Sequence, residues 1–264
     1  MRSNAGLVAP SRRRRLRAWR GVLSGLLLLA LWQGVVSVFG LPSYLLPSPA
    51  ETVRTLVEDA ALLGPHLLTT LAETLAGLAL ATSLGIGLAI VMNASRGSRD
   101  LLYPPLVLSQ AVPLMAVAPL ILIWFGLGAL AKVLIVAFVC FFPITVNAYE
   151  GFRVVDPAYR DLLETLGATR RDRYRHLYLP ATLPGIVAGL KLAATYSVLG
   201  AVVGEWLGGA KGLGVYMTRS LQSFRTDRLF AAILVVMALS FGLFKAVDVA
   251  GARLTPWLER RNHA

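Results

Sequence analysis

Charge is scarce in this sequence: 15% of its 264 residues are Asp, Glu, Lys or Arg, against about 25% in a water-soluble domain. That deficit argues against a single soluble core. Cysteine is scarcer still. Cys140 stands alone, which rules out an intramolecular disulfide and makes a thiolate metal cluster implausible. His66 and His176 are read as solvated loop residues with no second ligand at a useful spacing, so no metal site is expected. The sequence also has no HExxH, no GxSxG and no paired aspartates in facing spans, which leaves an intramembrane enzyme without its machinery. No GxxxxGK[ST] phosphate loop occurs. The chain is therefore not expected to be an enzyme.

What is present is apolar length, with 56% of the residues hydrophobic. Runs long enough to cross about 30 Å of hydrocarbon lie at 18–38, 67–92, 102–125, 129–149, 180–204 and 229–250. None shows the two-residue alternation of barrel strands, and backbone amides in lipid must bond within their own segment. The expected fold is all-α: a polytopic membrane protein with six transmembrane helices.

The acidic sign is the rarer one, and the excess of Lys and Arg leaves a net charge of +12. A nucleic-acid reader would gather that charge on one soluble face, often with aromatic residues between. Here it follows membrane sidedness, so the lipid bilayer is the expected partner and nucleic acid is not. Arginines from Arg2 to Arg17 precede the first run and Arg20 stands at its start, Arg96 and Arg99 follow the second, and Arg153 to Arg175 follow the fourth. The positive-inside rule makes those segments cytoplasmic, and an even number of spans returns Arg253, Arg260 and Arg261 to the same side. Both termini are thus expected in the cytoplasm. Residues 1–17 form a basic tail, 18–250 the transmembrane domain, and 251–264 a C-terminal tail. Ser11-Arg12-Arg13 resembles the start of a twin-arginine signal, but the apolar stretch is long and no small-residue cleavage site follows. One loop breaks the charge pattern. Lys211, Arg219, Arg225 and Arg228 fall between the fifth and sixth runs, so that segment is either partly re-entrant or meets an external partner.

Between the first two runs, Ser48 or Pro49 can open a short surface helix carrying Glu51, Arg54, Glu58 and Asp59. Pro104, Pro105, Pro113 and Pro119 all fall in the third run and favour kinks or a broken helix, as tolerated where backbone lines a cavity. Gly77, Ala81 and Gly85 in the second run allow close helix contact.

Residues 161–184, DLLETLGATRRDRYRHLYLPATLP, are too polar for lipid and too patterned for a slack linker. They read as two short helices joined at Gly167, which supplies the positive φ of a helix cap, with Pro180 and Pro184 setting the start of the fifth span. This spacing resembles the cytoplasmic signature loop of the permease subunits of ABC (ATP-binding-cassette) importers. In that family Glu-Ala-Ala, three residues, Gly, nine residues and Ile-x-Leu-Pro recur. Here Asp161-Leu162-Leu163 stands at Glu-Ala-Ala, with leucines for the alanines, and Gly167 stands at the glycine. Leu177-Tyr178-Leu179-Pro180 closes the motif. The resemblance implies that the loop at about 152–179 docks on a separate cytoplasmic ATPase and transmits its closure. The docking residues would be Asp161, Glu164, Gly167, Ala168, Leu177, Leu179 and Pro180. It further implies that ATP is hydrolysed by that partner and no cofactor is bound by this chain. An extracytoplasmic binding protein would deliver the solute, and a second permease copy would complete the pathway in a bacterial cytoplasmic membrane. Trp124-Phe125-Gly126, Phe141-Phe142-Pro143-Ile144 and Gly204-Glu205-Trp206-Leu207-Gly208 are similar to the subgroup that handles sulfonates, nitrate and thiamine-precursor pyrimidines, with the pyrimidine branch favoured.

Ionisable groups within spans need partners. Lys245 and Asp248, three apart, can pair; Lys191 can snorkel or bond a carbonyl; Glu73 has no evident partner in sequence. Glu205 beside Trp206 either holds a polar heterocycle or seals a gate, or else is a solvated neighbour of an interfacial tryptophan. With Pro113 and Asn147 they make up the expected substrate path. An ion-coupled secondary transporter is the rival reading, but no repeat links the halves.

Overall fold

The computed structural model describes residues 12–256, of which 12–22 are described by backbone alone. Most of the basic tail, including Arg2, and residues 257–264, including Arg260 and Arg261, lie outside the described residues. The described chain is helical throughout. The elements are α1 (Arg12–Phe39), α2 (Pro49–Glu58), α3 (Ala60–Ala94), α4 (Arg96–Ser109), α5 (Leu114–Phe125), α6 (Ala129–Arg153), α7 (Pro157–Thr165), α8 (Arg170–Arg173), α9 (Leu179–Gly208), α10 (Leu213–Gln222) and α11 (Thr226–Leu254).

Four of these are long and apolar enough to cross a membrane: α3, α6, α11 and the run Arg170–Gly208 that joins α8 to α9. The expected third span is broken. α4 and α5 meet at 101°, and counted together they make a fifth span. The break falls between Ser109 and Leu114, with Pro113 capping α5 in extended backbone, where its ring needs no hydrogen of its own. α1 contributes a shorter apolar stretch, Leu23–Phe39.

α6 packs along α3 on one side and α9 on the other, and small residues permit it. A Cβ at Gly77 would collide with Val136, and one at Gly189 would sit 2.7 Å from the Pro143 carbonyl oxygen. In lipid, such close backbone approach supplies the van der Waals contact that the hydrophobic effect cannot. Cys140 is buried in this seam, its thiol donating to the Ala193 carbonyl at 3.3 Å.

The helix of the fifth apolar run does not begin at Pro180. Helix continues from Arg170 through a π turn, Tyr174–Tyr178, into α9. The widened turn, in which the Leu179 amide reaches back to the Tyr174 carbonyl, relieves the missing donor and the ring clash that Pro180 would impose on a regular α-helix. Ser48 opens α2 through a capping box, donating its amide to Glu51 at 2.8 Å and accepting the Glu51 amide at 3.2 Å.

Candidate functional site

The two ends of the helical bundle carry the polar groups, and they are built differently. At one end, Asp156 caps α7 by accepting from the Ala158 amide at 2.9 Å. α7 closes on Gly167 at φ +76°, where the Gly167 amide donates to Glu164 and the Ala168 amide to Leu163, at 3.0 and 2.9 Å. That bond pair is a Schellman cap, and its left-handed residue explains the glycine. Thr169 and Asp172 form a capping box on α8, while Arg173 forms a salt bridge to Glu164 that closes α7 against α8. Asp161 is exposed, 3.4 Å from Arg160. Ala168 and Leu177 are half-buried, Leu179 is exposed at the start of α9, and Pro180 follows it half-buried. Along α7, Tyr159, Leu162 and Leu166 are 61%, 55% and 72% exposed, and their spacing of three and four places them on one face.

At the other end, the segment between α9 and α11 folds back as α10, whose Leu213, Tyr216 and Met217 are buried. Three side chains from α3 and α9 meet its first backbone groups, His66 Nδ1 lying also 2.8 Å from the Gly212 carbonyl. The Gly212 amide lies 2.9 Å from His66 Nδ1, the Leu213 amide donates to Thr70 Oγ1 at 2.8 Å, and the Gly214 amide donates to Glu205 Oε2 at 2.6 Å. Thr70 in turn donates to Glu205 Oε1 at 2.7 Å. A carboxylate at a helix N-terminus meets unpaired amides and the positive end of the helix dipole. Gly212, at φ +127°, is required because a Cβ there would collide with the Glu205 carboxyl.

This geometry corrects two sequence expectations. His66 is not a solvated loop residue: it lies within α3, 8% exposed. Glu205 is not solvated beside Trp206 either, being 1% exposed with both oxygens bonded, while Trp206 itself is exposed. His176 is exposed as expected, though in the π turn rather than a loop. Sequence reasoning passed over Thr70 and Lys132. The available signal was the period of His66, Thr70, Glu73, Thr74 and Gly77, which places all five on one face of α3.

Glu73 finds its counter-ion in Lys132, Nζ to Oε1 at 3.4 Å with both side chains buried. Lys191 bonds Asp248 at 2.5 Å rather than a carbonyl, and Lys245 lies 3.6 Å from the same carboxylate. At the start of α11, Arg228 pairs with Asp59 at 2.7 Å and Arg225 with Asp227 at 2.8 Å, so part of the basic excess between α10 and the apolar part of α11 is neutralised within the chain. The remaining expected path residues are not gathered together. Pro113 is exposed at the α4–α5 break, and the Asn147 amide donates to Pro143 at 2.8 Å. Gly204 of α9 faces Lys132 while Gly189 faces Asn147, so Asn147 sits about 22 Å along the helices from Glu205.

The sequence matches the family model described as "Binding-protein-dependent transport system inner membrane component" over residues 81–256. The chain belongs to this family of ABC importer permeases. The permease is 38% identical to the formylaminopyrimidine transport permease protein ThiX of Halalkalibacterium halodurans, over 94% of this chain and 100% of that protein. It is 30% identical to the putative aliphatic sulfonates transport permease protein SsuC of Bacillus subtilis, over 89% of this chain and 86% of that one. In fold it resembles a chain of the inward-facing MetNI methionine ABC transporter, with a TM-score of 0.67 at 16% identity over 75% of this chain and 98% of the other. The permease is thus a multi-pass inner-membrane protein and not an enzyme. It binds no cofactor of its own; a separate ATPase uses the ATP, and a binding protein brings the solute. Ion-coupled secondary transport finds no support in these relationships.

Proposed function

We propose that the permease spans the membrane six times with both termini in the cytoplasm, α1 supplying the first span and the bent α4–α5 pair the third. Two copies then form the pathway. The α7–α8 segment lies in the cytoplasm and docks in a groove of the ATPase through Asp161, Glu164, Gly167, Ala168, Leu177, Leu179 and Pro180. The observation that carries this reading is the uncovered apolar face of α7, Tyr159, Leu162 and Leu166, on a short helix held rigidly by caps at both ends. An apolar stripe of that length in water lacks a partner, and a groove in a second protein fits it as a helix-in-groove contact.

The solute is a small polar heterocycle of the thiamine-precursor pyrimidine type, supported by the identity to a formylaminopyrimidine permease. A sulfonate or nitrate is the next reading, supported by the sulfonate relative. Trp206, Pro113 and Asn147 line the path in this reading, and Glu205 shapes its outer end by fixing α10.

Three measurements test the proposal. The tagged permease, gently solubilised after crosslinking, should bring down an ATPase and a binding protein. That binding protein, titrated with formylaminopyrimidine and with an alkanesulfonate, should prefer the heterocycle; preference for the sulfonate moves the solute assignment to the other branch. In proteoliposomes Gly167→Pro, which cannot adopt φ +76°, should leave insertion intact while ATP hydrolysis no longer drives uptake. Unchanged uptake would sink the coupling role.

A further inference from the structure

Between the C-terminal end of α3 and the α7–α8 segment lies a cavity of about 270 Å³. Three guanidinium groups line it, Arg160, Arg170 and Arg173, against the single carboxylate Glu164. The phenols of Tyr174 and Tyr178 and the Asn93 amide complete the wall. Arg173 is taken up by Glu164, and Arg160 has a long, exposed contact to Asp161. Arg170 has no carboxylate partner among the described residues. Counting Asp161, three positive charges face two negative ones, so the cavity keeps an unbalanced positive charge in a polar setting.

Guanidinium forks bind phosphate oxygens in pairs. Tyrosines favour the level of lipid headgroups, and basic pockets between spans on the cytoplasmic side hold anionic headgroups. Here α3 and the helix leading into α9 both pass from an apolar span into the cavity wall, at Asn93 and at Tyr174–Tyr178. A headgroup seated there could therefore lay its acyl chains along the two spans, which a free phosphate cannot use. We propose that this cavity receives the phosphate of an anionic phospholipid of the cytoplasmic leaflet and ties the coupling segment to the membrane surface. The inference rests on the cytoplasmic placement of α7–α8 proposed above.

The test uses the assembled transporter, permease with ATPase, released in mild detergent and supplied with equal amounts of phosphatidylglycerol and phosphatidylethanolamine for native mass spectrometry. Wild type should retain phosphatidylglycerol preferentially, and Arg160→Gln/Arg170→Gln should lose that retention by about tenfold or more, as removal of two surface cations near lipid implies. Arg175→Gln, an exposed cation of the same segment that does not line the cavity, should retain it. Equal retention of both lipids, or retention unchanged in the double variant, overturns the proposal. Displacement of the lipid by added inorganic phosphate assigns the cavity to a soluble anion and also overturns it. The same spectra count ATPase subunits. Loss of lipid selectivity in wild type with the ATPase still bound overturns the lipid site alone, whereas absence of the ATPase from wild type overturns the coupling reading and with it the placement of the cavity.

Discussion

The two polar ends of this permease differ in what is done with their side chains. Around α10, His66, Thr70 and Glu205 are buried and each is matched to a backbone amide; around α7, Asp161, Leu162 and Leu166 face outward. Buried polar groups are costly unless satisfied, so the α10 end is committed to a single arrangement. The α7 end is capped internally but left uncovered, as a surface that meets another protein must be. The contrast separates residues that hold the fold from residues that await a partner, and it can be broken at either end.

The largest effect is expected beside the α10 end. Lys132→Met leaves the Glu73 carboxylate buried without its counter-ion and should cost about 3–5 kcal/mol of stability. Lys132→Met/Glu73→Leu should recover most of that loss, because the pair is replaced rather than halved. Thermal unfolding of wild type, Lys132→Met, Glu73→Leu and the double variant in one detergent gives the coupling energy, and additive losses would show that the ion pair is incidental. Next comes Glu205→Ala, which orphans the Gly214 amide, worth about 1–3 kcal/mol when left unpaired in the interior, while the Thr70 hydroxyl keeps the His66 carbonyl and the Leu213 amide as partners. A lowered melting temperature and faster proteolysis near 209–214 are the readouts; an unshifted melting curve would mean that α10 is held by packing alone.

Much of this contrast was legible in the chain. The apolar runs gave the long helices, Ser48 with Glu51 gave the start of α2, and the single glycine of DLLETLG gave the cap of α7 because a left-handed residue is a local requirement. The α10 end was not legible in the same way. Thr70 and Glu205 are separated by 135 positions and His66 and Gly212 by 146, so their meeting depends on how α3 packs on α9. His66 was misread because the second apolar run begins at residue 67, one position after it, whereas α3 starts at Ala60 and carries Pro65 inside the helix. The π turn escaped notice because Pro180 alone points to a helix start, and nothing local says that the preceding turn has widened.

At the α7 end the expected effects on stability are smaller and those on coupling larger. Gly167→Ala places a side chain at a positive φ with open space around it, costing about 1 kcal/mol. Uptake at a fixed rate of ATP hydrolysis should fall, while the melting temperature moves by only a few degrees. The smallest change in the isolated permease is expected for Leu166→Ser, within about 0.5 kcal/mol because the side chain is already in the open. Its affinity for the ATPase, measured by titration in nanodiscs, should nevertheless drop. If Leu166→Ser destabilised the permease as strongly as Glu205→Ala does, the two ends would not differ in the way described.

The lone thiol of Cys140 has a practical consequence. Shut inside the α6–α9 seam and bonded to a backbone carbonyl, it is hidden from water-borne maleimides as long as the helices stay packed. The natural sequence is therefore already close to a blank reporter background. A cysteine placed at Leu45, at Leu166 or in the α4–α5 break would be the one reactive sulfur in the molecule, and labelling from each side of sealed vesicles would read the sidedness of each of those positions without first rebuilding the protein. The buried thiol would serve as an internal alarm, since any modification of Cys140 itself would report that α6 and α9 had come apart.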